Sequence, residues 1–443
     1  MAELTGTDTL ADVEGDRPSR STVQKLLALS IPTIMVGALS AILLYAVEAI
    51  AHALEHGLWS ALPDALGIDP DSRWWIFGVL SAVGLVVGLI VWLMPGHGGQ
   101  DSATVHLIAP PLPLQTLPSL TIVAVLALGG GVSLGPEAAI IGINAGLMVA
   151  LSRWLWPSIP VELVVVVTAA GTIGALFGTP VAAALVFTGL VGSLFREGAL
   201  WDQLFLPLLS AGAGAVMMSL LANPQFTLDL PAYETVAPVD LLSAALIAVI
   251  SAALGLTAAA VFPRLHRAFR LLRNPALYIT LGGVILGILG AVGGPITLFK
   301  GLGQMGDLIA HRDDYAASTL IVIVAVKVLA LLVSAAAGFR GGRIFPAVFI
   351  GVAIGILANA LIPSIPLAVA TASGVLGMVL AISRDGWIAL FIAVAVTGGI
   401  TVLPVLCIAV LPTWLLVSRG PEMIVHATPE ALASDSGPSH VRP

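Results

Sequence analysis

Apolar runs follow one another along almost the whole chain, and short polar breaks separate them. The first two runs, at 26–50 and 74–94, have the roughly 20 residues that an α-helix needs to cross the hydrocarbon core of a bilayer. Trp74 and Trp75 stand at the edge of the second run, as aromatic anchors do at a membrane interface. The pattern therefore predicts a polytopic α-helical membrane protein. Further apolar runs lie near 161–175, 180–195, 203–222, 276–298, 318–337, 344–362, 366–383 and 387–418.

Several of these runs are shorter than the roughly 20 residues of a full span, and glycine or proline interrupts them. The stretch 106–119 contains four prolines, and glycine-rich breaks lie at 129–146 and 338–355. Non-helical backbone at membrane depth is tolerated only where it is buried in protein or lines a cavity. The pattern therefore predicts re-entrant half-helices around a central pathway.

Composition agrees with a membrane protein and removes several other classes. Hydrophobic residues make up 58% of the 443 residues and charged residues 10%, which excludes a soluble globular protein and a disordered chain. The net charge of −7 says little about partners, and nothing indicates nucleic-acid binding.

With the single cysteine Cys407 no intrachain disulfide can form, and a metal cluster is not expected. No P-loop is present, so an ATP-driven pump is not expected. We expect no cofactor, no metal and no enzymatic activity.

The distribution of basic residues predicts how the chain is oriented in a cell membrane. The polar tail 1–25 carries basic residues and the loop 52–72 is poor in them, so the positive-inside rule places the N-terminus in the cytoplasm. The linker 223–238 has no Lys or Arg and is expected outside. The segment 263–275 has four arginines and is expected inside, as a loop or as a basic amphipathic helix on the lipid surface. The tail 419–443 is then cytoplasmic too.

An internal repeat divides the chain into two halves. Residues 168–176 read TAAGTIGAL and residues 371–379 read TASGVLGMV, and each stretch follows a glycine-rich break. Two matched features in the same order indicate a duplication, with halves at 26–222 and 239–418. An extracellular linker at 223–238 gives the halves opposite orientations. An inverted repeat of this kind places the substrate site near the bilayer midplane, between broken helices.

Three breaks, 96–101 (GHGGQD), 129–137 (GGGVSLGPE) and 341–346 (GGRIFP), are each followed by a stretch that can begin a helix. The free N–H groups and the positive end of the macrodipole at a helix N-terminus bind anions without a buried lysine. Pro136 and Pro346 stand where proline suits the first turn of a helix. Three converging breaks therefore predict an anion site. The alternative is that the glycines serve close helix packing.

Glu137 follows Pro136 in the first turn of one such helix. A charged side chain at membrane depth costs about 3 kcal/mol on insertion scales, so an intramembrane carboxylate indicates a function. The carboxylate could occupy the positive site meant for an anion and act as a gate. The alternative is a carboxylate that only caps its helix.

These segments resemble those of a known family. GGGVSLGPEAA resembles the gating segment of the CLC family of voltage-gated chloride channels and proton/chloride antiporters, and GGRIFPAVFIG resembles its GGxFxP segment. GHGGQD corresponds to the GSGIP segment. The resemblance covers nearly the whole chain and is greatest to a small bacterial branch of ion-transport proteins without C-terminal nucleotide-binding domains. It implies that Glu137 is the gating residue. It also implies anion binding by Gly96, His97, Gly98, Gly135, Pro136, Gly342, Arg343, Ile344 and Phe345.

The resemblance further implies an all-α, CLC-type inverted-topology repeat with many tilted and re-entrant half-helices. It implies the passage of small inorganic anions across the inner or plasma membrane through one pathway in each subunit of a homodimer. Chloride is the first candidate, with fluoride, nitrate and bromide as further candidates.

Some family positions carry other residues. The anion-coordinating serine falls on His97, the basic residue of the gating motif on Pro136, and a phenylalanine on Ile344. The inner proton-accepting glutamate of the antiporters falls near Gly189 or Leu190, neither of which carries a proton. This favours a channel or an uncoupled carrier, with a proton-coupled antiporter as the alternative. Further departures are Gln100 for proline, Ala138 and Ala139 for glycine and proline, and Met423 near the central tyrosine.

Other polar residues have open interpretations. His97 could donate a hydrogen bond to an anion or be solvated in a vestibule. Arg340 and Arg343 could add positive potential beside the third break or extend to the cytoplasmic surface. Lys327, in an apolar run, is expected to meet a carboxylate or a backbone carbonyl. Ser133 lies in GVSLG, which matches the G-x-S-x-G nucleophile motif, so an intramembrane serine hydrolase is a remote alternative from another class.

Overall fold

The structure is a computed structural model that describes residues 20–194, 200–222 and 226–425. Most of the two expected cytoplasmic tails, 1–25 and 419–443, lies outside the described residues. The described chain is helical, with α1 (Arg20–His56), α2 (Leu62–Leu66), α3 (Arg73–Leu93), α4 (Leu117–Gly129), α5 (Glu137–Leu155), α6 (Val161–Phe177), α7 (Pro180–Leu194), α8 (Leu200–Leu221), α9 (Pro238–Arg270), α10 (Pro275–Gly293), α11 (Leu302–Ala310), α12 (Ala317–Ala336), α13 (Ile344–Leu361), α14 (Leu367–Ser383), α15 (Gly386–Thr397) and α16 (Leu403–Val417). Short π and 3-10 turns lie at Gly57–Ala61, Leu114–Thr116, Pro295–Thr297, Arg312–Asp314 and Ile400–Val402.

Among the described residues, nine helical stretches are long and apolar enough to cross a membrane. The second predicted span, 74–94, is α3 almost residue for residue. The first is longer than predicted, because α1, the π turn and α2 run on as one apolar stretch, Leu26–Leu66. The helices α4, α6, α14 and α15 are apolar but shorter. The prediction of many helices too short to cross the bilayer is confirmed.

Three predictions of single elements need correction. The run 387–418 is two helices, because Gly398 adopts φ 66° and ends α15. The helix α11, at Leu302–Ala310, was not predicted. The arginine-rich segment 263–275 is not a separate surface helix, since α9 continues through Pro263 to Arg270.

The two halves repeat the same order of elements around their glycine-rich breaks. A helix (α4 or α12), a short break and a second helix (α5 or α13) lead into α6 or α14. In each break a glycine adopts φ 88°, Gly131 in the first and Gly338 in the second, and each lies six positions before the next helix begins. This left-handed conformation favours glycine, which explains one glycine in each break. The boundaries 26–222 and 239–418 stay a prediction.

Equivalent elements of the halves meet at the centre of the molecule. Gly135 and Gly342 form an isolated antiparallel bridge, with N···O distances of 2.8 Å and 2.6 Å. The helices α3 and α10 pack along their length, and they approach most closely at Gly84 and Gly283, where a Cβ on either would lie 2.7 Å from the other's Cα. These contacts between small residues bring the two breaks together.

Glycines of the repeated motif serve close packing between helices. Gly171 of α6 lies against Gly37 and Ser210, and Gly374 of α14 lies against the carbonyl oxygen of Gly351. The Ser251 hydroxyl donates to the Gly374 carbonyl at 2.7 Å. The motif thus fixes α6 and α14 behind the two breaks.

Candidate functional site

Glu137 begins α5, yet its side chain reaches the start of another helix. Its Oε1 accepts the backbone N–H of Phe345, in the first turn of α13, at 2.9 Å. The side chain is buried, and its Oε2 has no partner. Most buried polar atoms in folded proteins have a hydrogen-bond partner, so an unpaired carboxylate oxygen indicates a functional position. A carboxylate of the first half therefore lies at the positive end of a helix of the second half.

Two glycines make room for this carboxylate. A Cβ placed on Gly135 or on Gly342 would overlap the Glu137 carboxyl group. In both cases the nearest atoms all belong to the Glu137 side chain. The bridge between Gly135 and Gly342 holds both backbones beside the side chain. Pro136, between Gly135 and Glu137, has helical dihedral angles and is the N-cap of α5. The glycines are thus needed because the Glu137 side chain fills the space where a Cβ would be.

The break at 96–101 meets the break before α13 but begins no helix. The next helical turn starts at Leu114, so the predicted helix start after this break is wrong. Gly96, His97 and Gly98 all have positive φ, and the N–H groups of His97 and Gly98 donate to the Met94 carbonyl and the Ser119 hydroxyl. The His97 ring lies 2.9 Å from the Val91 carbonyl oxygen through Nδ1. Anion binding by Gly96, His97 and Gly98 stays a prediction.

Arg340 joins the break at 96–101 to the break before α13. The guanidinium donates to the carbonyl oxygens of Gly98 at 2.9 Å, Gly99 at 3.1 Å and His97 at 3.3 Å. The side chain is only 7% exposed, so it does not extend to a surface. One arginine thus satisfies three carbonyl groups that the left-handed turn leaves without helix partners.

Asp101 closes the same network with opposite charge. It receives hydrogen bonds from His266 Nε2, at 3.0 Å, and from Arg270, and it lies 3.7 Å from Arg340. Burial alone would raise the pKa of the Asp101 carboxyl. The hydrogen bond from His266 and the charges of Arg340 and Arg270 outweigh burial and hold this pKa well below its usual value. The carboxylate therefore stays ionised and ties α9 to the first half.

A cavity of about 550 Å³ reaches Glu137 from one face of the molecule. Glu137, Gly342, Arg343 and Ile344 line it, so the structure brings together four of the residues that the sequence singled out. The Nη1 atom of Arg343 is buried without a partner, while its Nη2 donates to the Val105 carbonyl at 3.3 Å. An unpaired donor and an unpaired acceptor, Glu137 Oε2, thus border one cavity.

Ser102 is a residue that sequence reasoning missed. It lines the cavity with Glu137, and its Oγ accepts the N–H of Gly341 at 3.0 Å. Because the oxygen is the acceptor, the hydroxyl hydrogen is left to donate elsewhere. The alignment placed the coordinating serine of the family on His97, five positions earlier, and His97 does not line this cavity. Only the contact between 102 and 341 could have pointed to Ser102.

Phe345 contributes its N–H to Glu137 and its ring to an aromatic cluster. The ring stacks on Phe177 with centroids 6.0 Å apart and lies 5.8 Å from Phe226 in an edge-to-face arrangement. Met423, which the alignment placed near a central tyrosine, is buried and lines the cavity. These side chains give the start of α13 an apolar wall.

Lys327 and Ser133 are buried polar side chains away from the cavity, and the sequence made a prediction about each. Lys327 donates to the carbonyl oxygens of Thr297, Leu298 and Phe299 at 2.8–2.9 Å, so the expected contact with backbone carbonyls is confirmed. Ser133 is buried, and its hydroxyl has no hydrogen-bond partner. It follows a helix, α4, whereas the nucleophile motif needs a strand before the turn.

Comparison with known proteins agrees with this geometry. The family model described as "Voltage gated chloride channel" matches residues 82–417. The chain belongs to the CLC family. Curated relatives named "Putative ion-transport protein YfeO" are similar to it. Those of Escherichia coli O139:H28 and of strain K12 are 45% and 44% identical over 401 residues, which is 90% of this chain and 96% of each relative.

Two solved structures share the fold. One is titled a slow cyanobacterial Cl−/H+ antiporter, with a TM-score of 0.73 at 19% identity, over 89% of this chain and 95% of that one. The other is titled a CLC-type fluoride/proton antiporter, with a TM-score of 0.67 at 17% identity, over 90% and 97%. The expected all-α CLC-type fold is confirmed, and with it a multi-pass membrane protein of an ion-transport family.

Proposed function

We propose that this protein passes small inorganic anions, such as chloride, across a membrane, and that Glu137 gates the pathway. The observation that carries the proposal is the hydrogen bond between Glu137 Oε1 and the Phe345 N–H, at the end of a cavity of about 550 Å³. A helix N-terminus binds an anion through such N–H groups. The carboxylate is then a negative group of the protein that occupies the anion's place.

The residues around this position can hold an anion once the carboxylate leaves. The backbone of Arg343, Ile344 and Phe345 begins α13, and the unpaired Nη1 of Arg343 and the hydroxyl of Ser102 border the same cavity. Donors that are charged or belong to a helix end bind anions more strongly than neutral ones do. An anion therefore competes with Glu137 for one positive site, and it passes only while the carboxylate is displaced or protonated.

The experiment is anion flux from proteoliposomes for the wild type and Glu137→Gln, with a proton electrode in the same vessel. Glutamine keeps the shape of the side chain but has no charge with which to compete. We expect flux at neutral pH to rise on the order of tenfold, equivalent to about 1.4 kcal/mol, and its pH dependence to disappear.

Glu162→Gln is the matched control. Glu162 also lies in the first turn of a helix, α6, but it is exposed. Its substitution should leave the flux unchanged. If Glu137→Gln gave wild-type flux at every pH, Glu137 would have no part in gating. If the wild type carried no tested anion, the transport proposal itself would fail.

The finer proposal is a channel-like or uncoupled pathway. The antiporter position for an inner glutamate falls near Gly189 or Leu190 in α7, and neither residue carries a proton. We therefore expect the proton electrode to record no proton movement tied to the anion. Proton movement against its gradient, at a fixed ratio to the anion, would overturn this finer proposal.

A proton-coupled antiporter is the second candidate, and two carboxylates favour it. Asp385 and Glu422 line the same cavity as Glu137. Burial raises the pKa of the Asp385 carboxyl, against the lowering effect of the N–H groups of Ile388 and Trp387. Glu422 lies 3.7 Å from Arg384. If coupling is found, Asp385 and Glu422 replace the missing inner glutamate as the proton route.

The remaining partners follow from the family and the composition. We propose that the protein lies in the inner or plasma membrane with both termini in the cytoplasm, as a homodimer with one pathway in each subunit. The exposed side chains of the spanning helices, such as Leu220 and Leu242, are apolar and suit a lipid bilayer. Fluoride, nitrate and bromide are the anions to test beside chloride.

A further inference from the structure

A second cavity, of about 300 Å³, lies beside the carboxyl-terminal part of α1. An ion pair bridges it, with Lys300 Nζ 2.5 Å from Glu48 Oε1. The two side chains are about one quarter and one third exposed, so water reaches the pair. Lys300 is the one lysine or arginine among the residues that line this cavity, which also include His52, Glu55, Phe299 and Gln304.

The backbone before Lys300 is fixed by strong contacts. Lys327, fully buried in α12, donates to the carbonyl oxygens of residues 297–299, the three residues before Lys300. Phe299 has φ 56°, donates its N–H to the Gly131 carbonyl at 3.1 Å and packs its ring edge-on against Trp59. A buried ammonium is tolerated only where its hydrogen bonds are satisfied, so Lys327 fixes the carbonyl groups of this segment in place. Lys300 is therefore held at a set place in the cavity.

This lysine lies close to the gate. Its Nζ is 5.7 Å from the centre of the Phe345 ring, and the N–H of Phe345 binds Glu137. Lys300 also lies within electrostatic range of the Glu137 carboxylate. The gating segment of this chain has Pro136 where the family pattern has a basic residue. A positive charge thus approaches the gate from a different part of the chain.

The pairing of Lys300 resembles that of the α13 N-terminus. At α13 a carboxylate, Glu137, occupies a positive site, and in the second cavity a carboxylate, Glu48, occupies another. The other acidic residue of the lining, Glu55, lies 3.6 Å from His52 and is not paired with Lys300. Glu48 is therefore the group that an arriving anion must displace from the ammonium.

We propose that Lys300 is a separate anion-binding subsite at the outer end of the pathway, and that Glu48 competes with the anion for it. The ligand is the same small inorganic anion, so this inference rests on the proposed function. The orientation from the positive-inside rule puts this cavity on the extracellular side, because α1 begins in the cytoplasm and the cavity lies near its other end.

The test is the half-saturating anion concentration for uptake, measured in right-side-out and in inside-out membrane vesicles. Lys300→Gln should raise this concentration about tenfold from the outer face and leave it unchanged from the inner face, since the loss of one charge contact acts there alone. Glu48→Gln should lower it from the outer face by roughly threefold, because the ammonium is freed.

The double variant Glu48→Gln/Lys300→Gln leaves no unpaired charge and guards against a folding defect in the single lysine variant. It should behave as Lys300→Gln does. Glu55→Gln, in the same cavity, is the matched control and should match the wild type. An unchanged outer value for Lys300→Gln, or an equal change from both faces, would overturn the subsite.

Failure of this inference can be told apart from failure of the proposed function. If the wild type carries anions and Glu137→Gln alters gating, but the lysine variants match the wild type, only the outer subsite is wrong. If no anion crosses with the wild type, both proposals fall.

Discussion

The break before α5 and the break before α13 have similar backbones and opposite side-chain charge. Each has a glycine at φ 88° six positions before its helix, and they pair through Gly135 and Gly342. The first break ends in an acid, Glu137, while the second contains two arginines, the buried Arg340 and the partly buried Arg343.

Under the proposed function, this difference gives the two copies of the repeated break separate parts: one supplies the gating carboxylate and the other the anion site. The carboxylate of the first copy binds the helix end of the second, and at the equivalent first position of α13 stands Ile344, which has no charge to return. In the proposed function, the gate therefore belongs to one half and the anion-binding site to the other. Only a fold that brings the copies into contact can use such a division.

The largest expected effect on anion flux comes from filling the space between the two breaks. In Gly342→Ala or Gly135→Ala the new Cβ would take the place of the Glu137 carboxyl group, which is the end of a flexible side chain and can move away. We expect anion flux at neutral pH to rise on the order of tenfold in both, as in Glu137→Gln.

Gly212→Ala is the control, because a Cβ there meets nothing within 4 Å. Combining Gly342→Ala with Glu137→Gln should add nothing, since both act on the same side chain. A further rise of the anion flux in the combined variant would show that the glycine acts through the backbone and not through Glu137. The contrast drawn between the two breaks would then be wrong.

An effect on stability, and not on flux, is expected from the charges that support only the second break. Asp101→Asn leaves Arg270 and Arg340 without their carboxylate and should destabilise the protein by about 3 kcal/mol at pH 7. Because the pKa of Asp101 is lowered in the folded state, its contribution is complete above the unfolded pKa of about 4 and fades as the pH falls below it.

The measurement is thermal unfolding of the purified protein at several pH values. The gap between Asp101→Asn and the wild type should be widest near neutral pH and should narrow below about pH 4. Asp313→Asn, at a carboxylate that is 89% exposed, is the control. A gap that stays constant with pH would mean that the charge of Asp101 does not support this break.

The smallest effects should separate two residues near the breaks. Ser102 bonds to Gly341 of the second break and lines the cavity of Glu137, whereas His97 turns its ring to the Val91 carbonyl. Ser102→Ala should raise the half-saturating chloride concentration by roughly threefold, about the value of one weak hydrogen bond. His97→Ser should leave the preference among chloride, fluoride, nitrate and bromide unchanged. A shift in that preference would restore His97 as an anion ligand.

Much of the fold could be predicted because its signals are local. Apolar runs gave α3 and α13 almost to the residue, and glycine followed by proline marked the break before Glu137. The division of the run 387–418 into two helices could also have been predicted, since Gly398 and Gly399 lie inside that run. The helix α11 is short and partly polar, so the pattern of apolar runs that predicts membrane spans did not predict it.

The rest of the site depends on contacts that no local pattern contains. Arg340 binds carbonyl groups more than 240 positions earlier, and Ser102 meets Gly341 at a separation of 239. Lys300 reaches Glu48 across 252 positions. The motif match that puts the family's coordinating serine at His97 fixes the order of residues and not the direction of their side chains, so the role of His97 stays a prediction.

The bridge between Gly135 and Gly342 has a consequence for speed. It fastens the backbone on both sides of Glu137, so the carboxyl group moves by rotation of its own bonds and not by movement of either helix. Side-chain rotations take picoseconds to nanoseconds when they are unhindered, while helix and domain movements take microseconds or longer. In the proposed function, the rate at which Glu137 opens the pathway is therefore set by how often an anion or a proton meets the carboxylate. That rate then depends on the anion and proton concentrations on either side of the membrane.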